Sequence, residues 1–292
     1  MNLDVNLKNL SLKYGDFTAL QDISFSLSPQ KIYGLIGRNG AGKTSLLALL
    51  ASFRAPTSGT ISIGGEDPFE NAKIMRQVSF AYNREYTDDD KPGKAYLEMS
   101  QRYRPNFDMD YARELAKRFG LPLDKRVKKL SRGMQSALDA TLGLANRAPV
   151  SIFDEVYLSM DPPSRKIFYQ EIIEDQNRFP RLMILSTYLV SEMEYLFDHV
   201  LILDQGRLVI DEDFETVINR GAAVTGPSAE VDAFVRDKKQ LSSQQLGPTK
   251  SVMIYESISE AQRVEAQKRD LEIGPVSLQE LFIHLTEKED EK

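Results

Sequence analysis

Residues 3 to 14 alternate apolar and polar positions, with Leu3, Val5 and Leu7 set against Asp4, Asn6 and Lys8, the period of a half-buried strand. Asp22 to Leu27 alternates likewise. Lys31 to Ile36 is instead a compact apolar run, the pattern of a strand covered on both faces, and it leads directly into a glycine-rich segment. From Ser45 to Phe53 apolar residues recur at helical spacing; Pro56 to Gly59 then reads as a turn before a short strand at Thr60 to Ile63. Another buried strand is predicted at Val78 to Ala81. Between Tyr86 and Leu130 the chain becomes rich in charge, shows helical periodicity at Lys94 to Arg102 and Tyr111 to Phe119, and contains no good strand. Strand and helix signals then return in alternation: helix at Ser131 to Leu144, strand at Val150 to Phe153, helix at Ser164 to Asp175, strands at Arg181 to Ser186 and Val200 to Leu203. Such alternation predicts an α/β domain built on a mostly parallel sheet, interrupted by a helical insert.

A boundary is expected near Asn219 to Ala223, after which Val224-Thr225-Gly226-Pro227 precedes a helix carrying Val231, Phe234 and Val235, a Ser/Gln-rich loop at Gln240 to Gln245, a strand at Ser251 to Tyr255 and a last helix at Leu278 to Leu285. That makes a small α+β unit, with Glu287 to Lys292 read as a solvated tail. The 292 residues are enough for two domains with ordinary cores, so folding requires no staple. None is offered: the absence of cysteine removes disulfides, thiolate zinc sites and cysteine nucleophiles together, and two histidines far apart make a histidine metal site unattractive. With 43 acidic against 37 basic side chains the bulk charge shows no nucleic-acid footprint. No apolar run approaches bilayer length and the N-terminus lacks a basic flank and apolar core, so the expected location is cytoplasmic, with any membrane role exerted through a partner.

Chemistry concentrates in three places. Gly37 to Thr44 fits G-x-x-x-x-G-K-[ST] between a strand and a helix. Gly37, Gly40 and Gly42, with Arg38, Asn39 and Ala41 between them, let backbone N–H groups converge on phosphate oxygens at a helix N-terminus. Lys43 is expected to reach the β/γ-phosphates, the Thr44 hydroxyl to ligate Mg²⁺, and Ser45 to complete the nucleotide cradle. The apolar strand Val150 to Phe153 ends in Asp154-Glu155: the first carboxylate is placed to hold Mg²⁺ beside Thr44, the second to orient or deprotonate a water in line with the γ-phosphate. Taken alone, each has a plainer reading, a chance glycine turn or a carboxylate pair at a strand exit. Together and in order they support one another. Between them, Leu130-Ser131-Arg132-Gly133-Met134-Gln135 opens a helix, which an N-cap serine would explain as well as any ligand.

At these residues the chain resembles the nucleotide-binding subunit of an ABC transporter, whose signature reads Leu-Ser-Gly-Gly-Gln at this place. Ser131 and Gly133 match; Arg132 and Met134 depart. The resemblance covers residues 1–218 as a nucleotide-binding domain, with a helical subdomain at about 84–145, and leaves 219–292 as an accessory or regulatory unit. It implies a P-loop NTPase core with a mixed sheet, an antiparallel β subdomain and a helical insert. It implies further that Tyr14 stacks on adenine, that the Ser131 to Met134 loop closes over the nucleotide of an opposite subunit, and that Asp161 crosses the subunit interface. A core tyrosine and a helix-start aspartate are the plainer readings of Tyr14 and Asp161.

Two departures matter. The family's glutamine that touches Mg²⁺ aligns with the shorter Asn83, and the switch histidine aligns with Tyr188, whose neutral hydroxyl can donate one hydrogen bond but cannot act as a cation. Glu155 is intact, so the expectation is slowed hydrolysis, or a site that is the weaker one of an asymmetric pair, and not a dead subunit. The acidic run Asp88-Asp89-Asp90 and the basic run Lys125 to Lys129 read as solvated faces. The resemblance implies ATP and Mg²⁺ as ligands, a polytopic permease and a second ATP-binding subunit as partners, a place on the inner membrane face through the permease, and work as an exporter ATPase for peptides, antibiotics or other amphipathic compounds. The alternatives are a nucleotide-sensing subunit with little turnover, a soluble ATPase for DNA or ribosomes, and a P-loop kinase, the last leaving Leu130 to Gln135 unexplained.

Overall fold

The computed structural model describes residues 3–286; the expected tail at Glu287 to Lys292 lies outside them. The chain begins with β1 (Val5–Tyr14) and β2 (Phe17–Leu27), continues through β3 (Ile32–Ile36), α1 (Lys43–Leu50), β4 (Ser58–Ile63), α2 (Ala72–Met75) and β5 (Val78–Tyr82), and then enters the insert with α3 (Gly93–Tyr103) and α4 (Met109–Arg118). It returns with α5 (Arg132–Ala145), β6 (Val150–Asp154), α6 (Pro162–Arg178), β7 (Leu182–Thr187), α7 (Val190–Met193), β8 (His199–Asp204), β9 (Arg207–Asp213) and α8 (Phe214–Asn219).

A six-stranded sheet of order β5-β6-β7-β3-β8-β9 forms the centre, parallel except for the antiparallel β9, while β2-β1-β4 makes a separate antiparallel sheet. The α/β class with an antiparallel subdomain and a helical insert is therefore the observed one. The central strands β3, β6 and β7 are buried throughout, which is why their sequences are continuous apolar runs. One face packs with the antiparallel sheet and α1 through Leu7, Leu10, Leu46 and Ile184; the other packs with α5, α6 and the insert through Leu138, Phe153 and Phe168. In this register Ile36 lies beside Thr187 and Asp154 beside Ser186, so the carboxyl ends of three adjacent strands meet at one place.

The two charge runs are largely solvent-exposed, as expected of solvated faces, and they also pair with one another. Asp90 pairs with Arg126 at 2.8 Å and Lys128 at 2.9 Å, Lys94 pairs with Asp124 at 2.6 Å, and the Val127 N–H donates to the Lys91 carbonyl at 2.9 Å. Asp89 accepts from the buried Tyr96 hydroxyl. The two runs lie more than thirty residues apart in sequence, and the turn of the helical insert brings them side by side.

The remaining chain runs β10 (Gly221–Pro227), α9 (Ser228–Val235), β11 (Gln240–Leu246), β12 (Thr249–Tyr255), α10 (Glu260–Lys268), β13 (Glu272–Pro275) and α11 (Leu278–Leu285). Its four strands make an antiparallel sheet of order β11-β12-β10-β13, with βαββαβ connections and its own cluster of Val224, Val231, Val235, Val252, Ile254 and Ala266. One sequence expectation is corrected: Gln240 to Gln245 is not a loop but most of β11. Serine and glutamine are poor strand signals, and tertiary pairing with β12 decides the outcome.

Candidate functional site

The loop between β3 and α1 is tied down on both sides. The Gly37 N–H donates to the Thr187 carbonyl at 3.4 Å, and the Gly206 N–H donates to the Ala41 carbonyl at 3.0 Å. Gly42 has φ of 105°, and a Cβ there would sit 2.9 Å from the Ala19 carbonyl oxygen, so only glycine fits. Arg38, Asn39 and Gly40 are exposed at the loop crown. A cavity of about 280 Å³ is lined by this loop together with Ser45, Glu155 and Phe17.

Lys43 is 6% exposed and its ammonium is fully engaged: it donates to the Gly37 carbonyl at 2.8 Å and the Arg38 carbonyl at 3.4 Å, and pairs with Glu155 Oε1 at 3.0 Å. The Thr44 hydroxyl donates to Asp154 Oδ2 at 2.9 Å, and the other carboxylate oxygen of the buried Asp154 accepts from the Ser186 hydroxyl. Thr44 and Asp154, 110 positions apart, thus meet at one point, and their donors are hard oxygens suited to Mg²⁺. Glu155 adopts φ of 50°, uncommon for a non-glycine residue, held by its N–H donating to Ser186 Oγ at 3.0 Å and its carbonyl accepting from Asn83 Nδ2 at 3.0 Å.

The other positions singled out in the sequence are distributed around this centre. Asn83 spends both ends of its amide within the protein, the second accepting from the Ser136 hydroxyl at 2.8 Å, so it joins β5 to α5 and to the Glu155 backbone. Tyr14 is 37% exposed; its hydroxyl lies 3.3 Å from Ser45 Oγ, and the Arg54 guanidinium stacks on its ring at 4.4 Å. Tyr188 is 38% exposed, immediately beyond β7. Ser131 is the N-cap of α5, accepting from the Met134 N–H at 3.2 Å; Ser131 and Arg132 are exposed, Gly133 and Met134 half-buried. A Cβ on Gly133 would sit 2.9 Å from the Ser159 carbonyl oxygen, which accounts for glycine beside the Leu158 to Asp161 loop. Asp161 caps α6 by accepting from the Ser164 N–H at 2.9 Å.

Phe17, Arg54, Ser136 and Ser186 belong to this neighbourhood although the sequence reading assigns them no role. Only Ser186 carried a signal, as the serine preceding Thr187-Tyr188; the others reach the site through pairing that no local spacing reveals. On the insert side, Asp139 of α5 accepts from the Tyr86 hydroxyl at 2.5 Å and lies 3.7 Å from Arg84. Burial drives its pKa up to about 6, against the lowering effect of Tyr86 and Arg84.

Comparison with known proteins agrees with this geometry. The family model described as ABC transporter matches residues 20–157. The ABC transporter ATP-binding protein YtrB of Bacillus subtilis is 25% identical over 285 residues, covering 96% of this chain and 97% of its own length. The Nod factor export ATP-binding protein I of Paraburkholderia xenovorans is 28% identical over 98% of this chain and 97% of its own. Among solved structures, an ATP-binding subunit of an ABC transporter superposes with a TM-score of 0.64 at 25% identity, covering 73% of this chain and 91% of that one. A bacterial Atm1-family ABC exporter shares the fold with a TM-score of 0.64 at 22% identity, over 75% of this chain and 40% of that one. No described helix is long and apolar enough to cross a membrane. With a P-loop, a carboxylate strand end and a matching family model on the same residues, residues 20–157 carry an ABC transporter nucleotide-binding domain, and the chain is similar to ATP-binding subunits of such transporters.

Proposed function

We propose that this subunit drives export: it binds ATP–Mg²⁺ at the Gly37 to Ser45 loop, with the opposite face of the nucleotide covered by the Ser131 to Met134 loop of a second ATP-binding subunit. The observation that carries the site assignment is the convergence of Lys43, Thr44, Asp154 and Glu155 across two strand ends. Thr44 and Asp154 would hold Mg²⁺, which when bound neutralises charge on the phosphates. The backbone N–H groups after Gly37 and the amino end of α1 bind phosphate oxygens, and Tyr14 supports the base with Arg54 behind its ring.

Binding exchanges partners. The terminal phosphate competes with Glu155 for Lys43, and as Lys43 turns to the phosphate the Glu155 carboxylate is released to orient and deprotonate the attacking water. Tyr188 supplies one neutral hydroxyl toward that phosphate where a histidine would supply a cation, which supports slow turnover. Asn83 reads the state of the site indirectly, through the Glu155 carbonyl and Ser136. Asp161 lies on the loop adjoining Gly133, in place to meet the second subunit. We assign residues 1–218 to this nucleotide-binding work and 219–292 to an accessory unit, and place the chain against the cytoplasmic side of a polytopic permease. The export direction is supported by the relatives named for Nod factor export. The cargo class in this reading is amphipathic, peptide or antibiotic.

Lys43→Ala is expected to weaken ATP–Mg²⁺ binding at least about a hundredfold, because the cradle loses the cation that faces the phosphates. Calorimetric titration of the purified protein tests this, and unaltered affinity overturns the site. Accumulation of ATP-dependent cargo inside inverted vesicles, measured with the permease present, tests the direction. A second reading, a nucleotide sensor with little turnover, is favoured by Tyr188 and Asn83; phosphate release that stays negligible with the permease bound would select it.

A further inference from the structure

The C-terminal unit reaches the switch segment through a pair of reciprocal caps. The amino end of α7, two residues beyond Tyr188, lacks a side-chain cap of its own; instead the Ser191 N–H donates to Gln279 Oε1 of α11 at 3.2 Å. In return, the first N–H of α11, on Leu278, donates to Glu194 Oε2 just after α7 at 3.2 Å. Each helix satisfies an otherwise orphaned donor of the other. Beneath these bonds the two helices share one core, with Val190, Met193 and Leu196 packed in the cluster that holds Val276, Leu278, Leu281 and Phe282. The same cluster receives Ala223, Leu241, Met253 and Tyr255 from the face of the C-terminal sheet opposite α9 and α10, and Gly221 leaves room for Leu281 to approach β10.

We propose that α11 is the element through which the C-terminal unit sets the hydrolysis step, with Gln279 and Glu194 as positioning residues for the Thr187 to Ser191 segment. The inference rests on the reading of Tyr188 as the group that faces the terminal phosphate. The physical reason is directional: a switch residue on a short turn is only as well placed as the helix that follows it. Here that helix is one turn long, too short to hold its own geometry; α6 holds its flank through Tyr169 and Arg165 on Glu192, and α11 caps its amino end. Nucleotide affinity depends on the Gly37 to Ser45 loop, which α11 does not cap, so a disturbed anchor lowers turnover and spares binding.

The test uses point variants of the full chain. Gln279→Ala removes the acceptor for Ser191, whereas Gln279→Glu keeps one; Glu194→Ala and Glu194→Gln form the matching pair. Each is measured for phosphate release at saturating ATP–Mg²⁺, for ATP affinity by titration in EDTA, and for melting temperature. The expected result is that both alanine variants lose roughly threefold to tenfold in kcat, the scale of a lost helix cap, with affinity within about twofold of the parent. Gln279→Glu and Glu194→Gln, which each retain a carbonyl or carboxylate oxygen at the cap, are expected to turn over like the parent. Unchanged kcat in the alanine variants overturns the proposal. So does a loss of kcat that the acceptor-keeping variants share, because that marks a role in stability alone. Tyr188→Phe separates the underlying reading. If that variant turns over like the parent while Gln279→Ala does not, the link stands and acts through the backbone of the segment, and only the assignment of the Tyr188 hydroxyl falls.

Discussion

The ion pair between Lys43 and Glu155 makes opposite demands on stability and on binding, and Glu155→Gln separates them. The two charges lie 3.0 Å apart with side chains only 6% and 22% exposed, so water screens the pair poorly. Losing one partner of a buried pair costs on the order of 3–5 kcal/mol, but here glutamine keeps an oxygen for Lys43, two carbonyls remain, and the carboxylate is one-fifth exposed. The part of the interaction due to charge alone is therefore about 1–2 kcal/mol. The free protein should become less stable by that amount. ATP, which no longer has to displace a carboxylate from Lys43, should bind tighter by the same amount, roughly fivefold to thirtyfold. Hydrolysis should fall by about two orders of magnitude or more if Glu155 is the base. The assay is a melting curve with and without ATP–Mg²⁺, a titration at low temperature in EDTA to suppress turnover, and phosphate release. A variant that melts like the parent and binds ATP no tighter refutes the competition between phosphate and Glu155. A variant that turns over normally refutes the catalytic role.

Other perturbations probe neighbouring groups. Arg54→Ala exposes the back of the Tyr14 ring and should weaken ATP by a few-fold, about 0.5–1 kcal/mol, while leaving inorganic tripolyphosphate binding unchanged because that ligand has no base; equal losses for both ligands would exclude a role at the base. Asp139 binds its proton more tightly folded, near 6, than unfolded, near 3.8, so its contribution is most favourable at low pH and is lost as pH rises between those values. Asp139→Asn should therefore gain stability over the parent at pH 7.5, by about 1–3 kcal/mol, and lose the advantage near pH 4; a pH-independent difference in melting temperature contradicts this. Tyr188→His restores a cationic donor beyond β7 and should raise kcat, and a flat or falling rate counts against the account of slow turnover.

The motifs were legible in sequence because phosphate binding demands short, contiguous patterns: glycines where backbone must approach, a lysine and a threonine at a helix start, carboxylates at a strand end. The central strands were legible for a related reason, since burial on both faces forces continuous apolar runs. What the sequence hid was long-range pairing among polar residues. Ser136 reads as an ordinary helical serine until it meets Asn83 from just beyond β5. Asp90 and Lys128 are solvent-facing as their sequence suggests, but they pair only because the insert folds back on itself. In the C-terminal unit the strand β11 is written in serine and glutamine, and β13 is only four residues long, so neither offers a periodicity to detect. Gln279 and Glu194 are the same case at the functional level, because helix caps supplied by another element leave no local trace.

That distribution of hidden contacts bears on how the molecule changes shape. The insert is joined to α6 by Arg118 and the Tyr111 hydroxyl, both on Glu171, and the loop that precedes β6 is joined to both by Arg147, which pairs with Asp108 at 2.7 Å and Asp175 at 3.4 Å. Buried charges of this kind contribute little net stability, because desolvation consumes most of their attraction, but each is costly to break singly. The insert and α6 are thus biased to move as one piece. The Ser131 loop, fixed at the start of α5 and packed on the Leu158 to Asp161 turn, is carried with them. A ligand shifts a conformational equilibrium only by its difference in affinity for the two states. On the function proposed above, ATP would satisfy that condition by taking Lys43 from Glu155 in one subunit while meeting a helix start from the other, so the work of closure would fall on contacts that exist only when a triphosphate is held between two subunits.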